Sequence, residues 1–185
     1  AALCAGLSPY DPDRMALGAR TLPPDAAHWF GTDEYGRDYF TRALYGGQIS
    51  LMVGFLAMLF STLIGTVVGT VSGYFGGWLD NLMMRAVDIL MAIPAFFLLL
   101  VVNAYLKPGV DNIILIISLL TWMNMSRLVR AETLSVKERE YVLYARASGE
   151  HPLRIIVRHI IPGVLPTIIV AATLNIASAI LMEST

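Results

Sequence analysis

Three acidic residues crowd into the stretch Gly31-Thr32-Asp33-Glu34-Tyr35-Gly36-Arg37-Asp38. Carboxylates at this density raise the question of a cation site, because hard cations take oxygen donors. The neighbours point to other chemistry. Arg37 stands among the acids, two of the three lie in a Gly-rich turn, and no histidine is closer than His28. Aspartates in such turns accept from backbone N–H groups, and a nearby arginine completes a local ion pair. The expectation is therefore a bonded turn and no metal centre. Nucleophilic and hydrolytic chemistry lack support, since neither a Ser/His/Asp arrangement nor a His-Glu-x-x-His helix occurs. No Gly-x-x-x-x-Gly-Lys-Ser/Thr loop is present to cradle a phosphate. The one cysteine, Cys4, excludes a disulfide framework and a Cys-rich metal site.

What the sequence does offer is docking chemistry. Seven of the 13 Lys and Arg residues lie between positions 127 and 158: Arg127, Arg130, Lys137, Arg139, Arg146, Arg154 and Arg158. Inside that segment, Ser135-Val136-Lys137-Glu138 has capping-box spacing, which predicts a helix start at Ser135 with Glu138 reaching back to it. Gly149 suits the left-handed position that ends a helix. The 13 residues between them make about 20 Å of helix. Tyr141, Tyr144, Ala145 and Ser148 share one face, with Arg139 and Arg146 elsewhere on the surface. After Glu150-His151, Pro152 suits the first turn of a second helix. That helix would carry Arg154 and Arg158 on one face and bend at Pro162 and Pro166. Two readings follow. The helix lies on lipid with its basic residues toward phosphates, or it is a rigid docking element that presents the small residues Ala145, Ala147 and Gly149 to a cytoplasmic partner. Spacing alone leaves both open.

The elements that must position this segment are apolar. Of 185 residues, 56% are hydrophobic and 15% charged, and the mean hydropathy is +0.64. A soluble domain carries about 25% charged residues, and disordered chains are far less apolar. A net charge of −1 gives no field for nucleic acid. Four runs lack Asp, Glu, Lys and Arg: Ile49–Val71 (23 residues), Ile89–Leu106 (18), Asn112–Ser126 (15) and Ile160–Met182 (23). A 23-residue helix spans about 34 Å, enough for a hydrocarbon core of roughly 30 Å. The third run gains length by continuing past Arg127, whose side chain can snorkel. None alternates apolar and polar residues as a barrel strand does, so the expected fold is an all-α, polytopic membrane helical bundle of four spans. Ser61, Gly65, Gly69, Gly73 and Gly77 recur every four residues and read as a helix-packing stripe. Pro94 is either a tolerated kink or a hinge for alternating access. Asp88 and Arg85, three residues apart, read as an interfacial ion pair. Asn103, Asn124 and Asn175 would line a pathway or bond between helices.

By the positive-inside rule the Arg127–Arg158 stretch is cytoplasmic, which places Lys107 outside, the Ser72–Asp88 connection inside and the 41-residue Ser8–Gln48 segment outside. Arg14, Arg20, Arg37 and Arg42 oppose the last placement, but long loops constrain topology weakly. The expected organisation is a remnant of a first membrane helix at 1–7, an extracytoplasmic segment at 8–48, and a membrane core at 49–182 that includes a cytoplasmic loop at 127–159. The apolar start without Met and the end at Glu183-Ser184-Thr185 suggest a fragment.

The sequence Leu143-Tyr144-Ala145, then Gly149, then His159-Ile160-Ile161-Pro162 resembles the EAA signature of permease subunits in bacterial binding-protein-dependent ABC importers. The spacing is kept, while only Ala145, Gly149 and Pro162 match by type. The phrases Gly31–Asp38, Gly73-Tyr74-Phe75-Gly76-Gly77-Trp78, Asp88-Ile89-Leu90-Met91-Ala92-Ile93-Pro94 and Ala145-Arg146-Ala147-Ser148-Gly149 resemble the dipeptide/oligopeptide/nickel branch, C-type permease. The resemblance implies a type I importer fold with a six-helix core, and a transport subunit rather than an enzyme. It also implies a site in the bacterial cytoplasmic (inner) membrane, with the lipid bilayer as surroundings. The implied partners are a second permease subunit, two ATP-binding subunits that hold ATP and Mg, and an extracytoplasmic substrate-binding protein. The chain itself would bind no cofactor. On this resemblance Glu140, Tyr141, Leu143, Tyr144, Ala145, Arg146, Ser148 and Gly149 meet the ATPase. Ser135, Glu138, Pro152, His159 and Pro162 support the loop, Gly65, Gly69 and Gly73 pack helices, and Pro94 is the candidate hinge. The cargo would be peptides or nickel. The alternatives are a secondary transporter or channel without an ATPase, which would want a membrane-buried carboxylate where only Glu183 is near, and a lipid-binding structural protein.

Overall fold

The computed structural model describes residues 10–16, 18–94, 97, 101, 104–105 and 109–183. The expected helix remnant at 1–7 and much of the expected span at 89–106, including Asn103, lie outside the described residues, as does Lys107. Two compact units are present, residues 1–52 and residues 53–185. Among the described residues the fold is all-helical, apart from one isolated antiparallel bridge between Thr32 and Asp38.

Helix α1 runs over Tyr39–Phe75, 37 residues or about 55 Å. It starts well before Ile49, where the uncharged run begins. The reason is a cap at Asp38, whose Oδ2 accepts from the Thr41 N–H at 2.8 Å and from the Thr41 hydroxyl at 2.6 Å. Arg42 and Gln48 interrupt the apolar run but not the helix, because nothing in 39–75 removes a backbone donor. After Gly76 the chain enters α2 (Gly77–Met91), so Gly77 opens a new helix and is not part of the packing stripe. The Ser72–Asp88 connection is largely this helix. It ends at Met91, ahead of Pro94, as the steric demand of a proline on the preceding residue favours. Pro94 is exposed and outside the helix.

Helix α3 (Val110–Val136) carries the third uncharged run and continues past Arg127. Next come the short helices α4 (Glu140–Ala147) and α5 (Pro152–Ile155), a single π turn at Ile156–Ile160, and α6 (Ile161–Glu183). Among the described residues, three stretches are long and apolar enough to cross a membrane: Tyr39–Phe75, Val110–Val136 and Pro152–Leu181. Helix α3 packs along α6. One apolar cluster includes Val53, Ala57, Ile114, Ile117 and Ala179. The other joins α3, α4 and the start of α6 through Val129, Val136, Val142, Ile155, Ile160 and Val164.

Candidate functional site

The segment after α3 folds into a short helix seated on a core. Ser135 lies in the last turn of α3, and the Lys137 N–H continues that helix by donating to the Thr133 carbonyl at 2.9 Å. The expected capping box at Ser135 and Glu138 is therefore absent. The Val129, Thr133, Val136 side chains continue α3's buried face at helical spacing, so packing carries the helix through the serine. Helix α4 instead begins at Glu140 after Arg139, whose extended backbone (ψ 145°) supplies the start with no side-chain cap. It has eight residues, shorter than the 13 the spacing suggested. Glu140 in the first turn and Arg146 in the last complement the helix dipole.

The eight residues divide cleanly. Val142 and Ala145 are buried and hold α4 to the core. Tyr141, Leu143, Tyr144 and Arg146 are exposed, and Tyr144 is 77% exposed. Ala145 thus differs from the expectation that it shares a presented face with the tyrosines. The Arg146 guanidinium lies 5.2 Å from the centroid of the Tyr74 ring, within cation–π range. Ser148 is exposed, and Gly149 follows at φ +77°. The Gly149 N–H donates to the Arg146 carbonyl at 3.1 Å and the Glu150 N–H to the Ala145 carbonyl at 3.2 Å. This is the Schellman pattern, and it needs the left-handed residue that glycine provides most easily.

Three contacts that the sequence did not announce fix the exit from α4. His151 caps α5 by accepting from the Leu153 N–H at 3.3 Å, with Pro152 in the first turn. His159 Nε2 lies 3.0 Å from Glu150 Oε2, tying the turn after α4 to the π turn. Tyr141 and Val136 close on Gly163, where an added Cβ would meet the Tyr141 hydroxyl at 3.0 Å and Val136 Cγ1 at 2.9 Å. The π turn itself precedes Pro162. Proline lacks the N–H for a regular bond and its ring crowds the carbonyl four residues back, and a widened turn relieves that crowding. The Ile161 N–H accordingly donates to the Ile156 carbonyl.

Beneath α4, polar groups pin the ends of α1, α2 and α3. Arg130 forks onto Asp80 with two 2.5 Å bonds, the Ser72 hydroxyl donates to the same carboxylate, and Lys137 Nζ donates to the Gly73 carbonyl at 3.0 Å. Gly65, Gly69 and Gly73 face α3 closely. An added Cβ would lie 2.6 Å from Met125 Cβ, 2.6 Å from the Ser126 carbonyl oxygen and 2.8 Å from Thr133 Cβ respectively. Asp88 pairs with Arg127 of α3 and not with Arg85 on its own helix.

In the first unit the acidic turn holds itself. Asp33 Oδ1 accepts from the N–H groups of Tyr35 and Arg37 at 2.9 Å, and Oδ2 accepts from Arg37 Nε at 2.8 Å and Arg42 Nη1 at 2.9 Å. Burial pushes the Asp33 carboxyl upward, but the Arg37 and Tyr35 backbone donors and the Arg37 guanidinium outweigh it and hold the pKa at about 2. Asp38 is also held below the ordinary carboxylate value. Burial opposes this, and the Thr41 hydroxyl and N–H, with His28 Nδ1 at 3.0 Å, prevail. These oxygens are spent on protein donors, as a bonded turn requires.

Residues 65–185 match the family model described as binding-protein-dependent transport system inner membrane component. The dipeptide transport system permease protein DppC of Bacillus subtilis is 42% identical over 178 residues, 96% of this chain and 56% of the relative. The oligopeptide transport system permease protein OppC of the same organism is 38% identical over 96% of this chain and 58% of the relative. The probable D,D-dipeptide transport system permease protein DdpC of Escherichia coli is 41% identical over 97% of this chain and 60% of the relative. The chain thus spans somewhat more than half the length of these relatives. With three helices among the described residues able to cross a bilayer and a family match over most of its length, the chain belongs to the binding-protein-dependent transport system inner membrane components and is a multi-pass protein of the inner membrane.

Proposed function

We propose that the chain forms part of the translocation path of an ATP-driven peptide importer and that α4 is the element on which the ATPase acts. One of two ATP-binding subunits, which hold ATP and Mg, would grip α4. A second permease subunit would complete the path, and an extracytoplasmic binding protein would deliver cargo. The observation that carries this reading is the division of α4. Val142 and Ala145 lock its underside into the core, while Tyr144 stands 77% exposed on top with Tyr141 and Leu143 beside it. A helix held rigidly from below and aromatic above is built to transmit force, and exposed aromatic residues are the side chains that dominate protein interfaces. A helix resting on lipid would turn its buried side chains to the bilayer rather than to its own protein. The names of the dipeptide, oligopeptide and D,D-dipeptide relatives favour peptides over nickel as cargo.

The test uses the full-length subunit with its partners in proteoliposomes. Tyr144→Asp should leave the subunit folded but reduce ATP-dependent peptide uptake at least tenfold and weaken co-purification of the ATP-binding subunits. Unchanged assembly and uptake would remove α4 from the coupling role.

A further inference from the structure

Asp88 of α2 and Arg127 of α3 form an ion pair whose side chains are 44% and 47% exposed. The depth of that pair is informative. Asp111 marks the outer end of the uncharged part of α3. Arg127 is 16 residues further on, about 24 Å along the helix, near the inner edge of a hydrocarbon core of roughly 30 Å. Arg127 can reach the inner interface from there, and its half-exposed pair with Asp88 holds both charges between two helices at the inner end of the bundle.

The neighbouring surface has the same character. Asn124, Arg127, Ala131 and Ser135 recur at spacings of three, four and four residues and are all exposed. They form one stripe on the inner half of α3, which the exposed Leu128 shares. The Asn124 amide has no hydrogen-bond partner among the described residues. Another side of α3 is suited to lipid or apolar helices: Leu115 and Leu119 line, with Leu56 and Phe60, an apolar groove of about 450 Å³. The apolar groove thus lies toward the outer half of α3 and the more polar surface toward its inner half.

We propose that the Asn124–Ser135 stripe lines the aqueous route and that the Asp88–Arg127 pair engages the two charged ends of a peptide in transit. This rests on the peptide-permease reading above. A terminal ammonium would take Asp88, and a terminal carboxylate would take the bidentate fork of Arg127. The exchange leaves neither charge unpaired, because a zwitterion brings both counterparts. A half-exposed pair holds weakly enough to open for it.

The experiment uses the full-length subunit in the assembled importer, with native cysteines replaced by serine. Asn124→Cys and Ala131→Cys should react with a charged methanethiosulfonate reagent at least tenfold faster than Leu115→Cys, and added dialanine should slow them. Equal, slow rates at all three positions would overturn the aqueous stripe. The second arm compares uptake of dialanine with that of dialanine amide. Arg127→Gln should change the ratio of the two rates by about tenfold toward the amide, and Asp88→Asn should do the same toward N-acetyl-dialanine. The binding protein's own preference cancels in that comparison with the wild type. An equal loss for free and blocked peptides would make the pair purely structural and overturn the contact. If the wild-type complex hydrolyses ATP but takes up no dialanine, the peptide reading fails and the contact falls with it, while the cysteine rates still decide the stripe.

Discussion

At Gly69 the backbone of α1 lies so near α3 that one methyl group would collide with it. An added Cβ would sit 2.6 Å from the Ser126 carbonyl oxygen and 2.8 Å from Val129 Cβ. Gly69→Ala should therefore destabilise the bundle by about 1–3 kcal/mol, seen as a lower melting temperature in detergent. Gly46→Ala is the comparison, since nothing lies within 4 Å of its Cβ position, and it should be neutral or slightly stabilising. Gly149 acts through backbone conformation instead. At φ +77° an alanine costs about 1–2 kcal/mol, so Gly149→Ala should loosen the end of α4 and speed amide exchange at Glu150. Asp33 sets a pH dependence. Its folded pKa of about 2 lies below the unfolded value of about 3.9. The stabilisation is thus complete above the unfolded value and is lost as pH falls through the folded one. Proteolysis within 31–38 should rise between about pH 4 and pH 2, and Asp33→Asn should weaken that pH dependence, leaving the part due to Asp38, and raise cleavage at neutral pH.

Among the elements, legibility followed the range of the interaction. The stop at Gly149 and the start at Pro152 were readable because they depend on the backbone preferences of single residues. The Ser135–Glu138 signal misled because α3's buried face at Val129, Thr133 and Val136 extends past it, and burial outweighs a cap. The early start of α1 is hidden in the sequence because Asp38 serves both the acidic segment, where it also meets His28, and the helix cap. Partners far apart in the chain were invisible. Asp88 reaches Arg127, 39 residues away, rather than Arg85 at three, and Arg130 reaches Asp80 across 50 residues. The Asp80–Arg130 fork can be weighed by a double-mutant cycle. Arg130→Gln should cost about 1.5–3 kcal/mol, and Asp80→Asn combined with it should cost clearly less than the sum of the singles, as thermal denaturation in detergent would show. Additive losses would mean that the two residues act separately.

For the whole molecule, the absence of charge was the dominant signal. It located the spans in α1, α3 and α6, because a bilayer excludes unpaired charges whatever the tertiary contacts. It could not show that the few charges remaining inside those limits pair between helices, nor that α4 turns Val142 and Ala145 inward and its other six residues outward, since both depend on packing across distant segments. Together these features describe a membrane bundle whose α1, α2 and α3 ends are pinned beneath one short, rigidly seated helix. The central claim is that this helix is where ATP-driven motion enters. The most direct measurement replaces Tyr144 with a photo-crosslinking benzoylphenylalanine in the full-length subunit of the assembled importer. The expected result is a crosslink to the ATP-binding subunit whose yield changes on adding ATP and Mg. Crosslinks only to lipid or to the second permease subunit, with or without nucleotide, would contradict it.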